Sequence, residues 1–134
     1  MIKLIHLKLK VISSFALLFL INCTSNNKQK SFTVIQNNYT NYNVGDLVRD
    51  SDYTYKFYLK NIGNVPLVID TASRSCECTN VIYPKTTTEV DDSAEVIVKY
   101  KPLKSDTGIV KTSIVLSVNT KDYFTPIVFY GRIK

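Results

Sequence analysis

The stretch Tyr53-Thr54-Tyr55-Lys56-Phe57-Tyr58-Leu59-Lys60 decides the fold of this 134-residue chain. Every second side chain is aromatic or aliphatic, so one face of an extended segment carries Tyr53, Tyr55, Phe57 and Leu59. The opposite face carries Thr54, Lys56 and Lys60. This alternation with a period of two is typical of a β-strand that is buried on one side.

The same alternation recurs in residues 94–100 and 110–118, whereas residues 124–133 are apolar on both faces, as a central or well-covered strand would be. Turn-forming residues separate the segments at 61–64, 91–93, 104–108 and 119–122. About seven short strands in roughly 100 residues indicate an all-β, immunoglobulin-like β-sandwich. We expect its inward side chains to include Phe57, Leu59, Leu67, Ile69, Val96, Val98, Ile114, Leu116 and Phe129.

The amino terminus resembles a bacterial lipoprotein leader. Lysines at positions 3, 8 and 10 precede an apolar run at 11–21, which is too short to cross a membrane but typical of a signal peptide. The run ends in Leu20-Ile21-Asn22-Cys23, a lipobox-like sequence in which Asn22 replaces the usual small residue. We therefore expect a signal peptide over residues 1–22, a lipidated Cys23 with a flexible tether over 23–31, and one domain over 32–134.

An ordinary secretory signal with a chance cysteine is the alternative to lipidation. In both cases the chain is exported, and a lipid on Cys23 would hold it in the bacterial cell envelope, at a membrane surface facing the periplasm. The membrane is then its first expected partner, and an envelope protein of unknown identity is the second.

Charge and composition exclude several function classes. Three of the 17 basic residues lie in the expected leader, and the remaining 14 stand against 11 acidic residues without forming a basic run. Nucleic-acid binding is therefore not expected. The one histidine, His6, also lies in the leader, so the mature domain would have no imidazole for catalysis or zinc binding. We expect a protein that is not an enzyme and has no bound cofactor.

The pattern of motifs along residues 42–134 resembles a family of bacterial envelope proteins, domain-of-unknown-function family 1573, whose domains look immunoglobulin-like. The matching residues are Asn61 and Gly63, Pro66-Leu67-Val68-Ile69, Ser75-Cys76-Glu77-Cys78-Thr79, Tyr100-Lys101-Pro102, Gly108, Asn119 and Gly131. Glu77 replaces the central glycine of the family pattern, and Asp91-Asp92-Ser93 replaces a Pro-Gly turn. The resemblance implies fold and location but brings no assigned activity.

Several of these motif residues have structural interpretations. Asn61 to Asn64 are expected to form a strand-ending turn in which Gly63 is free to take a positive φ. Pro66 is expected to begin a strand, as prolines at edges or first positions do. Glu77 indicates that the backbone between the two thiols need not have a positive φ, because that conformation would be strained for glutamate.

Cys76 and Cys78 are the one possible thiol or metal pair left in the mature chain. If residues 75–79 were extended, the two Cα atoms would lie about 6.6 Å apart, at the limit for a disulfide. A tight turn at Glu77 would shorten that distance. Three interpretations stay open: a structural pair, a labile redox couple, and a copper(I) site with two thiolates. The leading functional hypothesis is a non-catalytic interaction or scaffolding module, and the alternative is a redox or copper(I)-handling protein.

Overall fold

A computed structural model describes residues 31–134 of the chain. This part contains eight strands and no helix. The strands are β1 (Ile35–Gln36), β2 (Tyr42–Leu47), β3 (Tyr53–Asn61), β4 (Ile69–Arg74), β5 (Thr79–Ile82), β6 (Ser93–Tyr100), β7 (Ile109–Val118) and β8 (Phe124–Ile133). No helix that could span a membrane occurs within the described range.

The strands form two four-stranded sheets, ordered β1-β3-β6-β5 and β2-β8-β7-β4. Every pair is antiparallel except β2 with β8. The strand between 124 and 133 lies between two partners, which confirms the central position expected from its two apolar faces. The all-β sandwich expected from the sequence is therefore confirmed.

The count of strands exceeds the seven expected because the first part of the chain is shared between the two sheets. Residues 35–36 pair with β3, and the chain then crosses to pair β2 with β8. Neither segment has the long alternation of β3, since β1 is only two residues long and β2 contains Gly45 at a register shift. This division leaves β1 and β2 as edge strands of different sheets.

The core lies between the two sheets and consists of the inward side chains of both. All nine residues expected to point inward are buried, and each is at most 6% exposed. They are joined in one cluster by six further buried side chains, Leu47, Ala94, Tyr100, Val118, Ile127 and Ile133. Phe57 and Phe129, one from each sheet, have ring centroids 6.2 Å apart. Because burial of such side chains is the main driving force for folding, the alternation seen in the sequence fixes which face of each strand meets the core.

Two expectations about local structure are wrong. Gly63 does not have a positive φ; among described glycines only Gly45 and Gly108 do, at 82° and 67°. Gly63 is instead required by close packing, because a Cβ there would lie 2.5 Å from the backbone nitrogen of Val34. Pro66 does not begin a strand, since β4 begins at Ile69.

The reason for the late start of β4 lies in the hydrogen bonds just before it. Leu67 forms an isolated bridge with Thr88, with N–O distances of 2.8 and 2.9 Å. The next amide, that of Val68, donates to the side chain of Asn119 rather than to a strand. Regular pairing with β7 therefore begins only at Ile69, opposite Val118.

The sandwich has two ends that differ in the segments they carry. We call the end with Thr33, Asn61 and Asn119 the tether pole, because the chain enters the domain there. The register of β3 with β6 runs from Lys60 opposite Ser93 at this pole to Tyr53 opposite Tyr100 at the other. We call that other end the cysteine pole, because Thr79, which follows Cys78, also pairs with Tyr100.

Candidate functional site

The segment between β4 and β5 carries both cysteines and connects the two sheets. β4 is the edge strand of one sheet and β5 is the edge strand of the other. The chain must therefore cross from sheet to sheet within the few residues between Arg74 and Thr79. A crossing this short needs a tight turn, which the extended arrangement considered from the sequence would not provide.

The turn brings the two thiols together. Cys76 and Cys78 are joined in a disulfide, and their Cα atoms lie 5.1 Å apart. The amide of Thr79 donates to the carbonyl of Cys76 over 3.2 Å, which closes the turn. Glu77 at the tip of the turn is exposed and has no positive φ, in agreement with the presence of glutamate rather than glycine at this position. The shorter Cα distance falls within the usual range for disulfides.

Hydrogen bonds hold this turn to both sheets. On the side of β7, the amide of Ser75 donates to the carbonyl of Ser113 and the amide of Ser113 donates to Ser75 Oγ, both over 3.0 Å. On the side of β6, the amide of Lys101 donates to the carbonyl of Cys78 over 2.9 Å. The guanidinium of Arg74 also donates to the carbonyl of Thr79. The turn is thus fixed at both ends rather than free to reorient.

The two sulfurs differ in their surroundings, although both cysteines are half-buried. Cys78 packs against the hydrophobic core, next to the buried Thr79. Cys76 Sγ accepts a hydrogen bond from the amide of Cys78 over 3.0 Å. Cys78 Sγ has a longer contact of 3.8 Å with the hydroxyl of Thr79. Because the amide donor is closer and stabilises a thiolate, Cys76 is the sulfur better prepared to carry negative charge when the bond is reduced.

A copper(I) ion would require the reduced pair, because a disulfide has no thiolate to offer as ligand. Among residues 31–134, no group of three or more histidine, cysteine or acidic side chains is placed to hold a metal. The donor set for copper(I) would consist of Cys76 and Cys78 alone. The copper(I) hypothesis therefore remains a prediction about the reduced protein.

A second group of motif residues surrounds Asn61 at the tether pole. The side chain of Asn61 is completely buried. Its Oδ1 accepts hydrogen bonds from the Thr33 hydroxyl at 2.5 Å and from the Gly63 amide at 3.1 Å. Its Nδ2 faces three carbonyls, those of Val65, Thr88 and Glu89, at 2.9 to 3.2 Å. One amide side chain thus joins the entering chain, the end of β3 and the loop before β6.

Asn119 acts in the same way on the neighbouring segment. Its Oδ1 accepts from the amide of Val68 over 2.8 Å, and its Nδ2 donates to the carbonyl of Pro66 over 2.9 Å. The amide of Thr33 donates to the carbonyl of Asn119. Asn61 and Asn119 therefore clamp both ends of residues 62–68, where the chain has no regular strand partner.

The remaining motif glycines have steric roles. A Cβ on Gly131 would lie 2.5 Å from Leu47 Cδ1 and 2.8 Å from the Gly45 carbonyl, so β2 can approach β8 only beside a glycine. Gly108 has a positive φ and open space around it, which fits a turn before β7. Asp91 takes a positive φ of 67° at the turn where the family pattern has Pro-Gly.

Sequence reasoning missed Thr33, because a single threonine after a polar stretch gives no signal of burial.

The fold and the order of these motifs agree with one family. The family model described as "Protein of unknown function (DUF1573)" matches residues 35–133. The chain belongs to this family. Its residues Asn61, Cys76, Cys78 and Asn119 lie within the matched range. Cys23 precedes the match and the described residues, so its expected lipidation is an untested prediction.

Comparison with solved structures places this DUF1573 domain among immunoglobulin-like and PapD-like folds, while a comparison with curated proteins gives no match. A protein of unknown function from Porphyromonas gingivalis W83 superimposes with a TM-score of 0.64 at 13% identity, over 77% of this chain and 48% of that one. The PapD-like domain 7 of human CEP192 gives 0.58 at 9% identity, over 84% and 93%.

The secreted serine protease VesC from Vibrio cholerae also gives a TM-score of 0.58, at 12% identity and over 78% of this chain. The chain spans about half the length of the P. gingivalis structure and 24% of VesC. At these identities the likeness concerns the fold of the domain, and not the activity of the whole proteins.

Proposed function

We propose that this DUF1573 protein is a non-catalytic envelope lipoprotein, anchored through Cys23, whose β-sandwich serves as an interaction or scaffolding module. The observation that carries the proposal is the use of the motif residues. Asn61 and Asn119 hold backbone segments in place by hydrogen bonds, and Gly131 allows β2 to approach β8 closely. Residues with such packing and hydrogen-bonding roles stabilise the loops and the surface of the domain, and they do not supply reactive groups for an active site.

The distribution of polar groups supports a non-catalytic role. The buried polar side chains of residues 31–134 are uncharged, and every buried side-chain nitrogen or oxygen in this range has a hydrogen-bond partner. Carboxylates meet lysines at the surface, as in Lys56–Glu95 at 3.1 Å and Lys101–Asp50 at 3.1 Å. Such exposed ion pairs contribute little energy and leave the acidic groups solvated.

The sequence before the domain supports the anchor. Cys23 follows an apolar run of signal-peptide length, and about ten residues separate it from Thr33 at the tether pole. A lipid at Cys23 would hold the domain close to a membrane while leaving the cysteine pole, at the far end of β3, accessible to an envelope partner.

Cell fractionation with cross-linking tests this proposal. The full chain should sediment with envelope membranes and form a discrete cross-linked product, and Cys23→Ser should lose both properties. Asn64→Ala, at an exposed position, serves as the matched control and should behave as the wild type. A wild-type chain that stays in the soluble fraction would contradict the anchor. A cross-linking pattern that is the same in Cys23→Ser would contradict a partner reached through the membrane.

The disulfide in the Cys76–Cys78 turn favours a second candidate function, thiol–disulfide exchange. A partner thiolate would attack one sulfur, forming a mixed disulfide and releasing the other sulfur as a thiolate. A second thiol of the partner would then complete its own disulfide and leave both cysteines reduced. The amide bonded to Cys76 Sγ favours Cys76 as the sulfur released, and copper(I) binding would be an alternative use of the reduced pair.

A further inference from the structure

We propose that the tether pole carries a lipid-contacting face, formed by Val34, Ile62, Tyr123 and Phe124. The inference deepens the proposed function and rests on the anchor at Cys23. It adds that the domain itself touches the bilayer, and that it does so with one defined end.

The four side chains are exposed and apolar or aromatic. Val34 is 54% exposed, Ile62 49%, Tyr123 47% and Phe124 59%. They are contiguous: the amide of Ile62 donates to the carbonyl of Val34, and Val34 and Phe124 line one groove. The rings of Tyr123 and Phe124 meet edge to face, with centroids 5.0 Å apart. Exposed apolar side chains scattered singly need no explanation, but a connected group at one end of a domain indicates a binding surface.

The turn that presents the two rings is held rigidly. Tyr123 has a φ of 63°, a left-handed conformation that is uncommon for an aromatic residue. Hydrogen bonds fix it there, from the Tyr123 amide to the carbonyl of Thr120 and from the Val118 amide to the carbonyl of Tyr123. Side chains held in this way lose little further entropy on binding. Tyr123 takes the left-handed position that closes the β7–β8 hairpin after the Thr120–Tyr123 turn, so the hairpin itself sets the direction of the two rings.

The position of the anchor identifies a membrane as the occupant. The chain enters the domain at Thr33, which pairs with Thr120 beside this face. About ten residues separate Thr33 from Cys23, so the lipid is at most about 34 Å from the face. The opposite end of the sandwich lies roughly 27 Å farther along the strands. The tether pole is therefore the end of the domain nearest, along the chain, to the proposed lipid.

The chemistry of the face fits the boundary between headgroups and acyl chains. Aromatic rings with a polar edge, such as that of Tyr123, are favoured at this depth. The charged groups beside the face include Lys121 and Asp122 of the adjacent turn and Asp70, whose carboxylate accepts from the Tyr123 hydroxyl over 3.4 Å. These groups provide no excess of cations, so the contact depends on apolar burial rather than on attraction to anionic lipid. We therefore expect the contact between this face and the bilayer to form on zwitterionic lipid. The contact should also persist at about 1 M salt, where the Debye screening length is about 3 Å.

The absence of tryptophan from the sequence allows a direct test. Phe124→Trp places a single fluorescent indole on the proposed face, and Ile109→Trp places one at the cysteine pole, where Ile109 is 68% exposed. Because Phe124 pairs with Ser117 and Ile109 with Arg132, the two positions lie roughly 27 Å apart along β7. Each acylated full-length variant is incorporated into phosphatidylcholine vesicles that contain brominated lipid.

We expect brominated lipid to quench the fluorescence of the indole at position 124, and we expect its emission to shift to shorter wavelength. Neither change is expected for the indole at position 109. In a second pair, Ile62→Trp should be quenched, and adding Phe124→Asp should remove that quenching while the protein still floats with the vesicles. Equal quenching at 124 and 109, or none at either, would overturn the proposed face and leave the anchor intact. A chain that fails to float would contradict the anchor itself, and with it the face.

Discussion

The hydroxyl of Thr33 donates to Oδ1 of Asn61 over 2.5 Å, and both side chains are buried at the tether pole. This bond joins the segment that enters the domain to the last residue of β3. The same Asn61 side chain also reaches the carbonyls of residues 65, 88 and 89. Three separate stretches of chain, at Thr33, at residues 63–65 and at residues 88–89, are therefore held by one amide group.

Asn61→Ala should destabilise the domain strongly. It would leave buried donors and carbonyls without partners, each costing about 1–3 kcal/mol when unsatisfied, so a total loss of roughly 3 kcal/mol or more is expected. Urea denaturation measures the free energy of unfolding. The control Asn64→Ala, at an exposed position in the same turn, should change it by less than about 0.5 kcal/mol. Equal effects of the two substitutions would show that the Asn61 bonds do not stabilise the fold.

Phe57→Ala tests the sandwich core. Phe57 is completely buried and its ring packs near Tyr39 and Phe129. Removing a buried phenylalanine ring costs roughly 3–5 kcal/mol, a large part of the 5–15 kcal/mol typical of a whole domain. Tyr58→Ala is the matched control, because Tyr58 is the next residue and points to the exposed face. A loss for Phe57→Ala no greater than for Tyr58→Ala would contradict the assigned core.

Stability should fall at alkaline pH through Tyr55. Burial, followed by the neighbouring Tyr53 and Tyr100, raises the pKa of Tyr55 from 10.0 to about 12. The folded state keeps the Tyr55 proton more tightly than the unfolded state does. The contribution of Tyr55 to the free energy of unfolding is therefore fully present below pH 10 and is lost as the pH rises towards 12. Tyr55→Phe should therefore flatten the decline in unfolding free energy between these pH values. An unchanged decline in that variant would refute the assignment.

The function of the cysteine pair is tested by Cys76→Ser with Cys78→Ser. If the pair is structural, the double variant loses stability and the reduced wild type does not bind copper(I). If the pair exchanges disulfides, the oxidised wild type accepts electrons from a small dithiol and the double variant does not. Tight one-to-one copper(I) binding that disappears in the double variant would support the metal site. Thiol titration before and after reduction reports the oxidation state in each case.

The sequence predicts the sandwich well where the strands are long. In β3, β6 and β7 the alternation of side chains extends over eight or more residues, so the inward face follows directly from the pattern. β1 and β2 cannot be predicted in this way. β1 has only two residues, and β2 has six residues interrupted by a register shift, so neither shows a long alternation. Their pairing with different sheets is decided by tertiary contacts.

The candidate site is less predictable from the sequence than the fold. That Cys76 and Cys78 are the relevant pair follows from their spacing, but the closing turn depends on β4 and β5 being edges of different sheets. The crowding at Gly63 comes from Thr33 and Val34, which are distant in sequence, so the local pattern predicts a positive φ instead. Long-range contacts of this kind leave no local signal.

The central claim, anchoring through Cys23, is tested most directly by the intact mass of the wild-type protein purified from membranes. If Cys23 is the anchor, the mature chain begins at Cys23 and carries the added mass of acyl chains, and a Cys23→Ser variant carries none. A wild-type chain that begins at another residue, or that begins at Cys23 without acyl mass, would contradict it.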